Sequence, residues 1–251
     1  LRMMFEQRNL SKKDGQWRLE VDKIGLPGKV KDVIMRRLDA LKPAQRRLVD
    51  AASVLGEKFS PDLVASVINQ EYLDVLDALN AIEQGGRLVV GEGNSYRFEH
   101  AKIREILYNE LSPLMKIAFH LRIAKKMEEI NQTDKKASLS DIAYHYSQAG
   151  DNEKSLKYSL AAGIDALVKF SNAEAIKHFS YVLQNLTENP ENDSQRMVAL
   201  EGLGDAHYAG MKFKEAATTF ESLSKIEGAN RLRALRKAME ASFFQNDLAK
   251  L

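Results

Sequence analysis

The sequence has no cysteine, one tryptophan, five prolines and no apolar run near the roughly 18 residues a membrane helix needs. The missing cysteine excludes disulfides, thiolate nucleophiles and zinc-thiolate sites together. It fits a reducing compartment, so a cytoplasmic location without a membrane partner is expected. The opening residues, "LRMMFEQRNL", are too short and too charged for a signal sequence. An excess of one charge is also missing, since 37 lysines and arginines face 35 aspartates and glutamates. No global field therefore draws the chain to nucleic acid or to an anionic surface. What is present is 251 residues with 44% apolar content, enough for a sizeable core in one or two domains. The chain starts at leucine and stops in "FFQNDLAKL" while a helical pattern is still running, so both ends are expected to be cuts in a longer protein.

The first segment, 1–25, reads as the end of a preceding domain or a linker with a short hairpin. In "KKDGQWRLEV", Asp14-Gly15 is a turn signal and Trp17, Leu19 and Val21 alternate as on a half-buried strand. After "GLPG" the period becomes helical, with Val30, Val33, Ile34, Leu38 and Leu41 on one stripe. Pro43 opens a second helix that Gly56 ends, and Ser60-Pro61 repeats the start signal for a third, to about Asn69. A fourth, 72–84, carries Leu73, Leu76, Leu79 and Ile82 and halts at Gly85-Gly86. Then "RLVVGEGNSYRFEH" gives two short β-branched and aromatic runs around a loop from Gly91 to Asn94, a β-hairpin. Helix, turn, helix and hairpin in this order is the order of a winged helix, with the hairpin as the wing. Two helices follow, 101–111 and one opened by Ser112-Pro113, whose Leu114, Ile117, Ala118, Leu121, Ala124 and Met127 keep one face apolar. Residues 26–130 are thus expected to form a winged-helix domain with flanking helices, and "NQTDKKAS", 131–138, a linker.

Beyond it nearly everything reads as helix, and comparison of the chain with itself finds a repeat. Gly163 is followed by Ala175 and Phe179, and Gly204 by Ala216 and Phe220, so each copy has a small residue, a second at +12 and an aromatic at +16. This resembles the tetratricopeptide repeat, in which small residues let two antiparallel helices approach and the aromatic fills the space between them. The wider spacing of these copies is explained by the polar insertion "TENPENDSQ", which costs little in loop entropy. The fold class expected is mainly α, a winged helix followed by a TPR-like α-solenoid over 139–251 that is truncated at its C-terminus.

Chemistry-bearing patterns are sparse. His100, His120, His145, His178 and His207 include no i, i+4 pair and no H-E-x-x-H, so neither metal ligands nor catalytic residues are assigned. His145-Tyr146 and His207-Tyr208 read as packing residues with a polar tip at the helix rim. No G-x-x-x-x-G-K-[ST] occurs, so this chain alone is not expected to bind and hydrolyse a nucleotide, nor to be an enzyme. The second paired helix, "EYLDVLDALNAIEQ", carries Glu71, Asp74, Asp77 and Glu83 and no lysine or arginine. Such a face repels a polyanion, which argues against DNA reading through it. Arg36-Arg37, Arg46-Arg47 and the group Arg231, Arg233, Arg236 and Lys237 read as solvated helix faces, without interleaved aromatics.

The stretch "LPGKVKDVIMRRLDALKPAQRRLVDAASVLGEKFSPDLVASV", with "YRFEHAKIREILYNEL" and "HLRIAKKMEE", resembles the region that follows the nucleotide-binding domain in STAND-class signal-transduction ATPases. These include bacterial and archaeal adenylate-cyclase-associated and transcriptional-activator ATPases. The resemblance spans at least 26–179. It implies an upstream P-loop domain of the same chain that binds ATP or ADP, a winged helix that folds over it as a lid, and repeats that sense a protein or small ligand on their concave surface. In switch members of the class, a histidine just after the wing, within a methionine-histidine-aspartate motif, contacts the β-phosphate of ADP. Phe98-Glu99-His100 falls at that place with only the histidine matching, so the resemblance marks His100 as a possible phosphate contact. From the residues alone, His100 caps its helix or pairs with Glu99 or Arg104. The rival readings are a transcriptional regulator that binds DNA through the winged helix and an effector through the repeats, and a TPR interaction scaffold without nucleotide.

Overall fold

A computed structural model describes residues 10–13, 16–19, 28–134 and 137–248. The chain is mainly helical and divides into two compact units, Leu1–Glu110 and Leu111–Leu251. Among the described residues no helix is long and apolar enough to cross a membrane.

In the first unit, β1 (Leu10–Lys13) and β2 (Gln16–Leu19) pair antiparallel with Lys12 opposite Trp17. Asp14, Gly15 and Val21 lie outside the described residues. Helix α1 (Gly28–Asp39) buries Ile34 and Leu38 and leaves Val33 exposed. Helix α2 (Pro43–Leu55) has proline in its first turn, where a missing amide is harmless, and buries Leu48, Val49, Ala51, Ala52 and Val54. It ends at Gly56, whose φ of 148° and ψ of −168° lie outside the expected left-handed helical region. That conformation leads into β3 (Lys58–Phe59), a strand too short to leave an alternating pattern in the sequence.

Ser60 accepts the Leu63 amide and starts α3 (Pro61–Ile68), which Asn69 closes in the left-handed conformation. Helix α4 (Tyr72–Gly86) buries Val75, Leu79 and Ile82, so its inward stripe is rotated from the expected one and Leu73 is 71% exposed. The helix also runs through Gly85 and Gly86. Arg87, at φ 45°, supplies the left-handed cap instead.

Strands β4 (Val89–Glu92) and β5 (Ser95–Phe98) form the expected hairpin, turning at Gly93-Asn94, and β5 also pairs with β3, giving the order β3-β5-β4. Gly91 belongs to the strand; its amide donates to Glu83 Oε1 at 3.1 Å, while the Tyr96 hydroxyl donates to Asn80 Oδ1 at 2.9 Å. The hairpin is thereby fastened to α4. Phe59 and Phe98 pack with ring centroids 5.4 Å apart over this core. Helix α5 (Ala101–Glu110) completes the unit by burying Ile103, Ile106 and Leu107, each burial contributing about 1.5 to 3 kcal/mol.

The second unit is a succession of helices, each packed on the next: α6 (Pro113–Asp134), α7 (Leu139–Gln148), α8 (Asn152–Val168), α9 (Asn172–Asn185), α10 (Asp193–Ala209), α11 (Phe213–Leu223) and α12 (Arg231–Leu248). Helix α8 also touches α10 directly. Residues 131–134, expected in the linker, continue α6, and that helix packs on α7 rather than closing the preceding unit. Its buried face keeps Ala124 of the expected stripe, with Leu121 and Met127 partly buried against the same core, and loses the rest. Phe119, His120, Ile123 and Ala124 point inward, while Leu114, Ile117 and Ala118 are exposed.

The glycine and aromatic spacing is realised in space. A methyl group on Gly163 would come within 2.8 Å of the Phe179 ring, and one on Gly204 within 2.4 Å of Phe220. Gly202, which the repeat pattern does not single out, lies against the other side of the contact, 2.3 Å from Phe179 by the same construction. Phe179 is therefore wedged between backbones of α8 and α10, where only hydrogen side chains leave room. In each copy the turn after the first helix holds an exposed left-handed residue, Phe170 and Met211, both at φ 58°. The polar insertion carries a short 3-10 turn, Pro190–Asn192.

Candidate functional site

His100 stands one residue beyond β5, after Glu99, and immediately precedes the first residue of α5. Its carbonyl accepts the Ile103 amide at 2.9 Å, while its ring is exposed and has no side-chain partner among the described residues. Of the alternatives read from the residues alone, no side-chain pair with Glu99 or Arg104 is formed among the described residues, and Arg104 Nε donates to the Ser53 carbonyl at 3.0 Å instead. His100 thus immediately precedes the first amides of α5, which have no acceptor within their own helix. An imidazole and helix-start amides together favour an anion.

The outward face of α4 holds Tyr72, Leu73, Asp74 and Asp77, all exposed. Several of the basic residues are engaged within the chain. Arg37 donates to the Gly86 carbonyl, Arg46 bonds Asp50 and Glu110 at 3.0 Å each, and Arg233 and Lys237 reach Glu201 and, for Lys237, Asp205.

The second unit holds polar clusters that the sequence did not show. His120 and His145, 25 positions apart on α6 and α7, face each other with Nδ1 atoms 2.8 Å apart, and both rings are buried. One Nδ1 must carry a proton and the other must lack it. Burial, reinforced by the neighbouring His120, pulls the His145 pKa down to about 3. His145 is therefore a core group rather than a residue with its tip at the rim. His207 is half-buried, and its Nδ1 is occluded without a partner among the described residues.

Glu128 of α6 ties three helices. It accepts from the hydroxyl of Tyr146 on α7, and from the Tyr158 hydroxyl and Lys154 Nζ on α8 at 2.7 Å each. Burial alone would raise its pKa, but the hydrogen bonds from Lys154, Tyr146 and Tyr158 prevail and hold it at about 2. Burial and the bond to Glu128 push Tyr146 up to about 12.

A groove of about 630 Å³ runs between α7 and α9 with α8 as its floor. At its edge the Ser140 hydroxyl lies 2.8 Å from Glu174 Oε1 and 2.9 Å from His178 Nε2. Serine, histidine and carboxylate together invite comparison with a hydrolytic triad, but the roles are reversed. A carboxylate only accepts, so Ser140 donates to Glu174 and His178 Nε2 must donate to Ser140. A nucleophilic serine needs to give its proton to the imidazole, with the carboxylate on the other ring nitrogen. Burial further lowers the His178 pKa. The arrangement orients side chains and does not activate an oxygen. Among the described residues, no group of three histidine, aspartate or glutamate side chains is placed to hold a metal ion.

No protein-family model, curated protein or solved structure matches this chain.

Proposed function

We propose that the chain is the winged-helix and TPR-like portion of a cytoplasmic STAND-class regulatory ATPase, with no catalysis of its own. In this reading α2 to α5 and the β3-β5-β4 sheet are a winged helix that acts as a lid over a P-loop domain of the same protein. His100 contacts the β-phosphate of bound ADP, and the helices from α7 onward sense a partner and release the lid. The observation that carries the reading is the position of His100, exposed between the last sheet strand and the start of α5, with its ring uncommitted among the described residues. The acidic and apolar outward face of α4 supports a protein-facing lid over a DNA reader, since Asp74 and Asp77 would meet phosphates with like charge.

The test is a binding titration of this chain against the P-loop domain of the intact protein, loaded with ADP or with ATP. Tighter binding to the ADP form supports the lid. Equal binding to both, or a shift of duplex DNA by the chain at low salt, rejects it.

A further inference from the structure

The groove between α7 and α9 has the features of a built site. Ser159, on its floor, is 3% exposed, yet its hydroxyl has no hydrogen-bond partner among the described residues. Its oxygen is open to the groove, so a bound group can take up its bonding capacity. Asp141 and Glu174 stand on opposite walls, and Lys177 is the one lysine or arginine of the lining. Ser140 engages a single oxygen of Glu174, so carboxylate acceptor capacity remains on both walls. The lining is thus short of cations and rich in acceptors.

We infer that this groove binds an extended peptide segment and holds its arginine or lysine side chain between Asp141 and Glu174. Length decides for a peptide over a free amine. The lining on α9 runs from Glu174 to Gln184, ten positions on, or about 15 Å along a helix, which matches four or five extended residues. The hydroxyl of Ser159 and the amide of Gln184 supply bonds for peptide N–H and C=O groups, and the exposed Tyr144 ring covers the aliphatic stem of the basic side chain. The neighbouring His178 Nε2 lies 2.9 Å from the Ser140 hydroxyl and 3.8 Å from Glu174 Oε1, and burial lowers its pKa, so it neutralises the carboxylate little. Arginine fits two opposed carboxylates better than lysine because its planar fork donates in several directions.

The inference deepens the sensor role given to the repeats and rests on that reading only for its biological meaning. The experiment uses the whole chain, without nucleotide, on an array of pentapeptides with each of the twenty residues at the centre and randomised flanks. Enrichment of central arginine, with lysine second, is expected. The selected arginine peptide should bind about tenfold more weakly to Asp141→Asn and to Glu174→Gln, and more weakly still when its arginine is replaced by the isosteric neutral citrulline. Lys177→Gln should tighten it. An unchanged melting temperature in each variant shows that folding is not the cause, and Ser159→Ala, the mildest change, keeps the test open should the carboxylate variants fold poorly. No central preference, a preference for acidic residues, affinity unchanged in both carboxylate variants, or equal affinity for free L-arginine would each overturn the inference. A failed array leaves ADP retention by the intact protein unaffected, so loss of this inference and loss of the lid reading are separately visible.

Discussion

The two units bury different chemistry. Between Leu1 and Glu110 the only described buried polar residue is Ser53, whereas the second unit buries His120, His145, Ser155, Ser159 and His178 and ties three helices through Glu128. The first is held by apolar surface and by turns that fix each entry and exit. In the second, alanines, glycines and aromatics bring helices close, and polar pairs choose the register at which they meet. Hydrogen-bonded buried groups such as His120 with His145 specify one arrangement, and buried histidines also make it sensitive to proton concentration. Under the proposed function, the second unit as a sensor has use for that sensitivity, and the first as a lid that must hold a fixed surface does not.

The largest effect separating the units is expected from Phe179→Ala. Removing the ring wedged between Gly163 and Gly202 should cost the second unit about 3 to 5 kcal/mol. Hydrogen exchange should show the loss in α8 to α10, with the amides of α2 to α4 unchanged. Glu128→Gln comes next. It leaves the shape intact but weakens three charge-assisted bonds, for a loss of about 2 kcal/mol in urea titration.

A smaller loss follows acidification. The His145 pKa lies at about 3 in the folded chain against 6.5 ordinarily, so the unfolded chain takes up a proton that the folded one refuses. Its stabilisation is complete above pH 6.5 and declines as pH falls from there toward 3, and His178 and His207, both shifted down mainly by burial, act in the same direction. Glu128 adds a further decline between pH 4.5 and 2. The second unit should therefore loosen first on acid titration, and replacing His120 and His145 together by apolar residues should flatten the upper limb. The smallest effect has the opposite sign: Phe170→Gly removes a side chain 86% exposed at φ 58° and should stabilise the second unit by about 1 kcal/mol in the same urea titration.

Local signals were legible in the sequence where one residue type has one physical use. Pro43 and Pro61 opened helices, the glycine-containing loop formed a hairpin, and Gly163 and Gly204 met the aromatics sixteen positions on. The inward faces of α4 and α6 are legible only in part, at Leu79, Ile82 and Ala124, because counting apolar residues at helical spacing also favours Leu73 and Leu114. The true inward faces use Val75 in one case and a histidine, His120, in the other. Contacts such as His120 with His145, Glu128 with Tyr158 and Gly202 with Phe179 join positions 23 to 30 apart, a range where no periodicity relates partners. For the same reason the α7 to α9 groove was invisible, and Ser159 looks in sequence like any helix serine. His100 was marked by resemblance; its exposure is what the structure adds.

In the function proposed above, the first unit closes over bound ADP through His100. The most direct test is the rate of ADP dissociation from the intact protein, compared with its His100→Ala variant at matched stability. Faster release from the variant, by about tenfold for one lost phosphate hydrogen bond, is the expected result. An identical release rate would contradict the account and leave His100 as the exposed end of a strand.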